Sequence, residues 1–579
     1  MRNHHPIVAA AVAALAALVA CGGGTAREET LPPDATQVDG AAAGQAFDPD
    51  ADVPAAPIEG AVAGGTVTAL STEEPTSMDP TEAYTQSTLS ILSGLVTRSL
   101  TQYVFDPASQ SMVVVPDIAT DTGTPNADFT EWSFTIRDGV RFEDGTTVTA
   151  EDVAFGIKRS FDRKTFQEGP AFSNFYFLDG DSYLGVYTSG TSYRGVVVEG
   201  DTVTVKMARP FPDMPYWAAF PAMGPIPERG SDPGSYGRHP LATGPYMIAD
   251  FTPGESLTLV RNEQWDPDTD AGRHQYPDRF EFRFGVPSEQ VGATILGDSA
   301  VAQTALSTEN VSVDEYRRAQ TLDRLTLGAG PCTYGWYLDI NKIPDIRVRQ
   351  AIGYAYPYQE AARRRGEIFG VTSLPGTSIL PPGFPGRRSY EVLDIEPGST
   401  DPEKAQALLG QAGLSPGEFE VTFPYITSDP VSVAVTETVV PALEAAGFKA
   451  KPYPVSTIDD YFSLNEDPHA PINVRTSGWC PDWPSGSAWF QELFKSGSKF
   501  NFAQLDEPTI DAEIERIRQL PVEEQAAAWG ALDESIMTDF YPVVVTHYPG
   551  VALLHGPKVG GMHVDAFTKP TWKDMHVIP

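Results

Sequence analysis

Strand-like and helix-like segments alternate along most of this chain, and this alternation limits its possible folds more than any other feature. Residues 65–70, GTVTAL, alternate with β-branched side chains and predict a strand. In residues 132–136, WSFTI, apolar and polar side chains alternate with period two, and an Arg-Asp-Gly turn follows. Because alternating strands and helices pack as mixed layers, we expect an α/β fold.

Helix ends are also specified locally. Thr149 can N-cap a helix with Asp152 at its third position, and three apolar residues then share one face: Val153, Ile157 and Phe161. A second helix is predicted from Asp401-Pro402 to a stop at Gly413. A third, from about Val431 to Ala446, leads into a strand near Lys449–Tyr453 and indicates a βαβ-type unit.

Size and charge exclude several classes of protein. With 579 residues, 41% of them hydrophobic, the chain can form more than one domain. Its formal net charge of -37 would repel phosphate backbones, so nucleic acid is excluded as a partner. We interpret the charge as an aid to solubility, without meaning for a ligand.

The N-terminus is typical of an exported protein. Residues 1–20 predict a signal peptide, with Arg2 before an apolar run that is shorter than the roughly 20 residues needed to span a bilayer. The run ends in LVAC, which resembles the lipobox of bacterial lipoproteins and implies lipidation of Cys21; the alternative is a Cys that follows the run by chance. Residues 21–64 predict a disordered tether, in which the large apolar residues are Phe47 and Ile58.

Five segments carry a family resemblance. They are EPTSMDP (74–80), FTIRDGVRFEDGTTVTAEDV (134–153), TGPY (243–246), LVRN (259–262) and DIRVRQA (345–351). In this order they resemble the peptide-binding class of extracellular solute-binding proteins, family 5, over nearly the whole mature chain. The second segment is the most specific of the five.

The resemblance implies an α/β architecture of two lobes, the periplasmic-binding-protein-like fold of type II, cluster C. Lobe 1 would be discontinuous and carry an extra subdomain, and the ligand would be enclosed between the lobes. The implied boundaries are 65–102, 211–329 and 548–579 for lobe 1, 103–210 for the subdomain and 330–547 for lobe 2.

The resemblance also implies a function. The chain would be a monomeric, lipid-anchored substrate-binding component on the outer face of the cell membrane. It would capture short peptides by hinge closure and deliver them to an ABC permease and its ATPase subunits, without a cofactor and without catalysis. A metal chelate, haem or an oligosaccharide remains an alternative ligand on the same fold.

A disulfide is implied by two further segments. GWCPDW (478–483) and PCTY (331–334) are similar to segments of the family's oligopeptide-binding members whose cysteines are bonded, which implies a Cys332–Cys480 bond. Without Cys21, an exported chain has two cysteines left to pair, although two unpaired thiols stay possible. The bond would close a loop of about 150 residues, for which chain entropy gives on the order of 5 kcal/mol.

Ligand residues follow from the same match. Asp482 corresponds to the family position that holds the α-amino group of a peptide, and Trp479 and Trp483 would form walls of low dielectric around it. The alternative is an Asp that caps a turn before Pro484. Glu74 corresponds to a second acidic position, with an exposed loop carboxylate as its alternative. Three more aromatic residues are predicted to line side-chain pockets or to belong to the core: Tyr334, Trp336 and Trp489.

Two departures from the family pattern affect the ligand. Where the oligopeptide binders have an Arg two residues before their GW, this chain has Thr476, and Arg475 lies one place earlier. A carboxylate anchor is therefore either missing or moved. Pro357-Tyr358 replaces a family "DR" and would end the preceding helix early.

Enzyme and metal chemistry have little support in the sequence. Ser496-Gly-Ser-Lys499 matches S-x-x-K, so an exported hydrolase or acyltransferase acting through Ser496 is the alternative from another class. The companion K-T-G and S-D-N motifs are missing, and the Gly favours a loop. The mature histidines show no ligand spacing, so no metal site is predicted.

Overall fold

The computed structural model describes residues 47–107, 111–565 and 568–579, so the predicted signal peptide and Cys21 lie outside the described residues. Strands and α-helices alternate as expected, which confirms the mixed α/β prediction. The strands are β1 (Thr66–Leu70), β2 (Thr101–Asp106), β3 (Ser111–Pro116), β4 (Thr124–Pro125), β5 (Glu131–Thr135), β6 (Val196–Glu199), β7 (Thr202–Lys206), β8 (Tyr246–Thr252), β9 (Ser256–Arg261), β10 (Arg279–Arg283), β11 (Ala305–Asn310), β12 (Leu325–Ala329), β13 (Thr333–Leu338), β14 (Ser373–Pro375), β15 (Glu420–Ile426), β16 (Lys449–Val455), β17 (Val474–Trp479), β18 (Val543–His555), β19 (Val559–Gly560) and β20 (His576–Val577).

The α-helices range from single turns to the long helix near the C-terminus. They are α1 (Gln86–Ile91), α2 (Ala150–Arg159), α3 (Phe172–Tyr176), α4 (Val186–Ser189), α5 (Met214–Trp217), α6 (Ser288–Ile295), α7 (Val313–Thr321), α8 (Ile346–Ala355), α9 (Tyr358–Arg364), α10 (Pro402–Gln411), α11 (Pro430–Ala445), α12 (Ile458–Glu466), α13 (Ser487–Leu493), α14 (Pro508–Ile517) and α15 (Val522–Asp539). Across the three described ranges, no helix combines the length and apolarity needed to cross a membrane.

The largest sheet runs through both halves of the chain. Its strands follow the order β17-β13-β18-β11-β1-β10-β9-β8, with β12 and β14 also paired to β18. The long strand β18 pairs with β13 through Val543–His547 and with β12 through Gly550–Leu554. A single continuous strand therefore connects the two halves of the molecule.

Two large hydrophobic cores occupy different parts of the chain. The first core is built from residues 67–306 and the C-terminal segment 559–575. The second core is built from residues 336–548. Trp483 falls within the second range but packs in the first core. The boundaries of lobes and subdomain given above stay predictions.

The locally specified elements form where the sequence predicts them. Thr149 and Asp152 make a reciprocal capping box at the start of α2. Asp401 caps α10, and β15 and β16 pair in parallel around α11, as expected for a βαβ-type unit. Helix α8 ends just before Pro357, because proline cannot continue the hydrogen-bond ladder.

The tether prediction is wrong for residues 47–64. Phe47 bridges to Val114, and its ring centroid lies 4.7 Å from that of Tyr216 in the first core. The backbone amide of Ile58 donates to the Tyr276 hydroxyl at 3.1 Å. The Phe47 ring and the Ile58 backbone amide thus hold this segment against the rest of the structure.

Candidate ligand site between the two cores

The disulfide stands beside the candidate anchor. Strands β13 and β17 pair antiparallel, with Thr333 opposite Trp479, and Cys332 and Cys480 lie just beyond that pair. Their sulfur atoms are bonded at 2.06 Å. Asp482 follows two residues later, so the bond fixes one end of the segment that carries it.

Asp482 meets the opposite half of the chain through a neutral donor. The Tyr84 hydroxyl donates to Asp482 Oδ1 at 2.6 Å, and the residue keeps an exposed surface although protein surrounds its carboxyl group. Desolvation by surrounding protein raises the pKa of Asp482 to about 6; the Tyr84 hydrogen bond opposes this shift, and Glu492 adds to it. Among the described residues no cationic side chain forms an ion pair with Asp482, so this carboxyl favours a cationic group on a ligand.

Trp483 packs against residues from the other half of the chain. Its side chain is 5% exposed, and its ring centroid lies 5.0 Å from that of Phe172 and 5.8 Å from that of Phe211. The indole Nε1 donates to Asp213 Oδ2 at 3.0 Å. Trp483 therefore joins the two cores directly instead of forming an open wall beside Asp482.

The remaining predicted aromatic residues do not share one surface. Trp479 donates through Nε1 to the Ala488 carbonyl at 2.8 Å. Tyr334 lies opposite Gly478 in the β13–β17 pair, so its side chain leaves the other face of the sheet from that of Trp479. There the Tyr334 ring stacks on His547, with centroids 4.7 Å apart.

Trp336 and Trp489 are buried in the second core, with 6% and 0% exposure. Of the two predictions for these residues, pocket lining or core, their positions agree with the core. Glu74 is exposed in its loop and close to Gly285; within the described part of the chain its side chain makes no hydrogen bond or ion pair.

Arg475, the candidate for a moved carboxylate anchor, has a structural role. Arg475 is fully buried, and its Nη1 lies 2.9 Å from Asp339 Oδ2. The same guanidinium also donates to the Phe502 and Asp467 carbonyls. Its hydrogen bonds are thus made inside the second core.

The S-x-x-K segment lacks the geometry of an activated nucleophile. The buried Ser496 Oγ has no hydrogen-bond partner among the described residues, and Lys499 pairs with Glu466 at 3.0 Å. In the part of the chain that the structure describes, no group of three or more His, Cys, Asp or Glu residues is arranged to hold a metal ion.

Three contributors to this region were missed by the sequence reasoning: Tyr84, Asp213 and Glu492. Tyr84 and Asp213 lie 398 and 270 positions from their partners Asp482 and Trp483. Glu492 lies close enough to raise the pKa of Asp482, and burial raises its own pKa. No local motif indicates any of these residues.

Residues 113–501 match the family model described as bacterial extracellular solute-binding proteins, family 5, middle. This match covers more than half of the chain. The chain belongs to this family. It is the substrate-binding protein of an ABC importer, and its family is extracytoplasmic.

Curated relatives agree with the family match. The periplasmic oligopeptide-binding protein OppA of Salmonella typhimurium is 22% identical over 452 residues, which cover 75% of this chain and 80% of the relative. The probable D,D-dipeptide-binding periplasmic protein DdpA of Escherichia coli is 24% identical, with 69% and 72% covered. These relatives are solute-binding proteins and not enzymes.

Solved structures confirm the predicted fold of this family 5 protein. Clavulanic acid biosynthesis oligopeptide binding protein 2 matches with a TM-score of 0.76 and 24% identity, covering 94% of this chain and all of that one. The unliganded open form of the murein tripeptide-binding protein MppA matches with a TM-score of 0.74 and 18% identity, covering 90% and 99%.

Proposed function

We propose that this solute-binding protein captures short peptides between the two cores and delivers them to a membrane permease driven by ATPase subunits. Lipidated Cys21 would hold it, as a monomer, at the outer face of the membrane. The observation that carries the proposal is the Asp482 carboxyl, which lies between the cores without a cationic partner among the described residues. The peptide-binding names of several relatives support it.

The chemistry of Asp482 suits a peptide's free amino terminus. An ammonium group brings three donors and a full positive charge, which offsets the cost of a partly desolvated carboxylate. An ionised carboxylate has about four acceptor sites, so Oδ1 can keep the Tyr84 hydrogen bond while Oδ2 accepts from the ammonium. Glu492 adds negative potential at Asp482.

The other end of the ligand is held differently from the family pattern. Because Arg475 is buried against Asp339, it cannot pair with a peptide carboxylate. We therefore expect affinity to depend strongly on a free ammonium and weakly on a free carboxylate. Peptides with amidated C-termini should bind nearly as well as free acids.

The first test is native mass spectrometry of the lipid-free mature chain, which would reveal any peptide retained from expression. Isothermal titration with trialanine, its N-acetyl form and its amide then tests the anchor. We expect the N-acetyl form to bind at least tenfold more weakly. Asp482→Asn should lose the distinction between free and acetylated peptides, whereas Asp459→Asn, at an exposed carboxylate of α12, should keep it.

A retained metal chelate or sugar in place of a peptide would overturn the proposed ligand class. Equal affinity for free and acetylated peptides in the wild-type protein would overturn the role of Asp482 and leave the family membership unaffected.

A further inference from the structure

Asp213 is a buried carboxyl whose hydrogen bonds come from the opposite half of the chain. Its residue is 4% exposed, directly before α5 and within the first core's range. Its Oδ2 accepts from Trp483 Nε1 at 3.0 Å and from the Ser487 hydroxyl. Both donors lie within five positions of the candidate ammonium anchor, Asp482.

The ring of Trp483 reinforces the same contact. It makes T-shaped contacts with three rings that belong to or pack against the first core, Phe172, Tyr176 and Phe211, at centroid distances of 5.0, 6.2 and 5.8 Å. Such aromatic pairs add to the free energy of burying the indole. The contact therefore combines apolar burial with directional hydrogen bonds.

These interactions exist only while the two cores stay together. Separation would return Asp213 to water and expose most of the Trp483 indole, and it would also break the Tyr84 hydrogen bond to Asp482. A buried carboxyl without a paired cation needs its hydrogen bonds, so the acceptor and its two donors stabilise the joined arrangement as a unit.

We propose that Asp213 is the positioning residue of a latch, formed with Trp483 and Ser487, that holds the two cores together and sets the Asp482 segment against Tyr84. All of its hydrogen bonds are made between side chains of this chain. Its effect on peptide capture rests on the proposed function: opening the latch admits the ligand, and closing it retains the ligand.

This role predicts a kinetic signature that simple loss of stability does not produce. If the latch favours the closed form both with and without ligand, weakening it increases the fraction of open molecules. The association rate constant for a peptide should then rise, and the dissociation rate constant should rise more. General unfolding would lower the amount of binding-competent protein without speeding association.

Trp483→Phe removes the indole donor and keeps an aromatic ring. Trp265→Phe is the matched control, because Trp265 Nε1 donates to Asp270 Oδ2 at 3.1 Å within one half of the chain. Small-angle scattering of the ligand-free proteins should show a larger radius of gyration for Trp483→Phe and no change for Trp265→Phe. Stopped-flow binding of trialanine should show a dissociation rate at least tenfold higher for Trp483→Phe.

If Trp483→Phe fails to fold, Ser487→Ala provides a second test. Its radius of gyration and its dissociation rate should change in the same direction and by a smaller amount. An unchanged radius of gyration in the folded latch variants would overturn the latch, as would an equal change in Trp265→Phe. If the radius of gyration responds as expected but wild-type protein binds no peptide, the latch stands and the proposed ligand class fails.

Discussion

The Tyr84 hydroxyl lies 2.6 Å from Asp482 Oδ1, although the two residues are 398 positions apart. Tyr84 directly precedes the Thr85 cap of α1, whereas Asp482 follows β17 and the disulfide. The hydrogen bond satisfies one acceptor site of the carboxylate without neutralising its charge. Asp482 is thus positioned from both halves of the chain and still favours a cation.

This electrostatic state predicts how ligand affinity depends on pH. The pKa of Asp482 in the ligand-free protein is raised to about 6, and an ammonium binds the ionised form. Affinity for trialanine should therefore be highest near pH 7, where the carboxyl is ionised and the peptide's α-amino group, with a pKa of about 8, is still protonated. Below the pKa of Asp482 it should fall, approaching about tenfold per pH unit because one proton competes with the ligand. Isothermal titration from about pH 5 to about pH 7, where the peptide's amino group stays protonated, measures this dependence.

Asp482→Asn is the control for the pH profile. With no titrating group at this position, the variant should bind trialanine weakly and with little change over the same range. A profile of unchanged shape in Asp482→Asn would assign the pH dependence to another residue.

Tyr84→Phe should shift the same profile. The Tyr84 hydrogen bond lowers the pKa of Asp482, so its removal should raise that pKa further. The pH at which affinity begins to fall should move upward. Affinity at neutral pH should decrease by about twofold, because the hydrogen bond is present with and without ligand and its loss changes only the ionised fraction of the carboxyl. A downward shift of the profile would contradict the contact.

Local signals in the sequence predicted local structure correctly. The Thr149 capping box and the Asp401 cap each depend on residues three positions apart or fewer, so the sequence contains the whole interaction. The family resemblance added the two-lobed fold and the Cys332–Cys480 pairing, which no local pattern provides.

The candidate site was predicted less completely, because its contacts join distant segments. The resemblance implies that Trp483 forms a wall beside Asp482, yet it packs in the first core, with its ring 5.0 Å from that of Phe172 and 5.8 Å from that of Phe211. No local motif distinguishes its partner Asp213 from the other Asp residues of the sequence. Hydrophobic pattern identifies a residue that will be buried but not the core that buries it.

The disulfide should contribute to both stability and binding. It closes a loop with a sequence separation of 148, so removing it enlarges the conformational freedom of the unfolded chain. Cys332→Ser with Cys480→Ser should lower the free energy of unfolding by about 2–4 kcal/mol in urea titrations. Because Asp482 lies two residues from Cys480, trialanine affinity should also decrease.

Reduction of the wild-type protein is the matched comparison for the serine variant. Equal urea midpoints for the oxidised and reduced wild-type protein would show that the bond does not constrain the chain as expected.

The contacts of Arg475 are those of a structural arginine and not of one that binds a ligand. Its guanidinium pairs with Asp339 Oδ2 at 2.9 Å, and both side chains are almost fully buried. Arg475→Met removes the closest cation from the buried Asp339 carboxyl, which keeps two backbone N–H donors and Lys342 Nζ at 3.4 Å, so the free energy of unfolding should fall by about 3 kcal/mol. Arg475→Met combined with Asp339→Leu should recover part of that loss, because no unpaired charge then remains buried.

The same variants test whether Arg475 touches a ligand carboxylate. Binding of trialanine and of its amide should change by the same factor in Arg475→Met, since the guanidinium makes its hydrogen bonds within the second core. A selective loss of affinity for the free acid would instead require Arg475 to leave Asp339 and reach the ligand. The ratio of the two affinities, measured by isothermal titration in folded protein, is insensitive to the loss of stability and therefore decides between these roles.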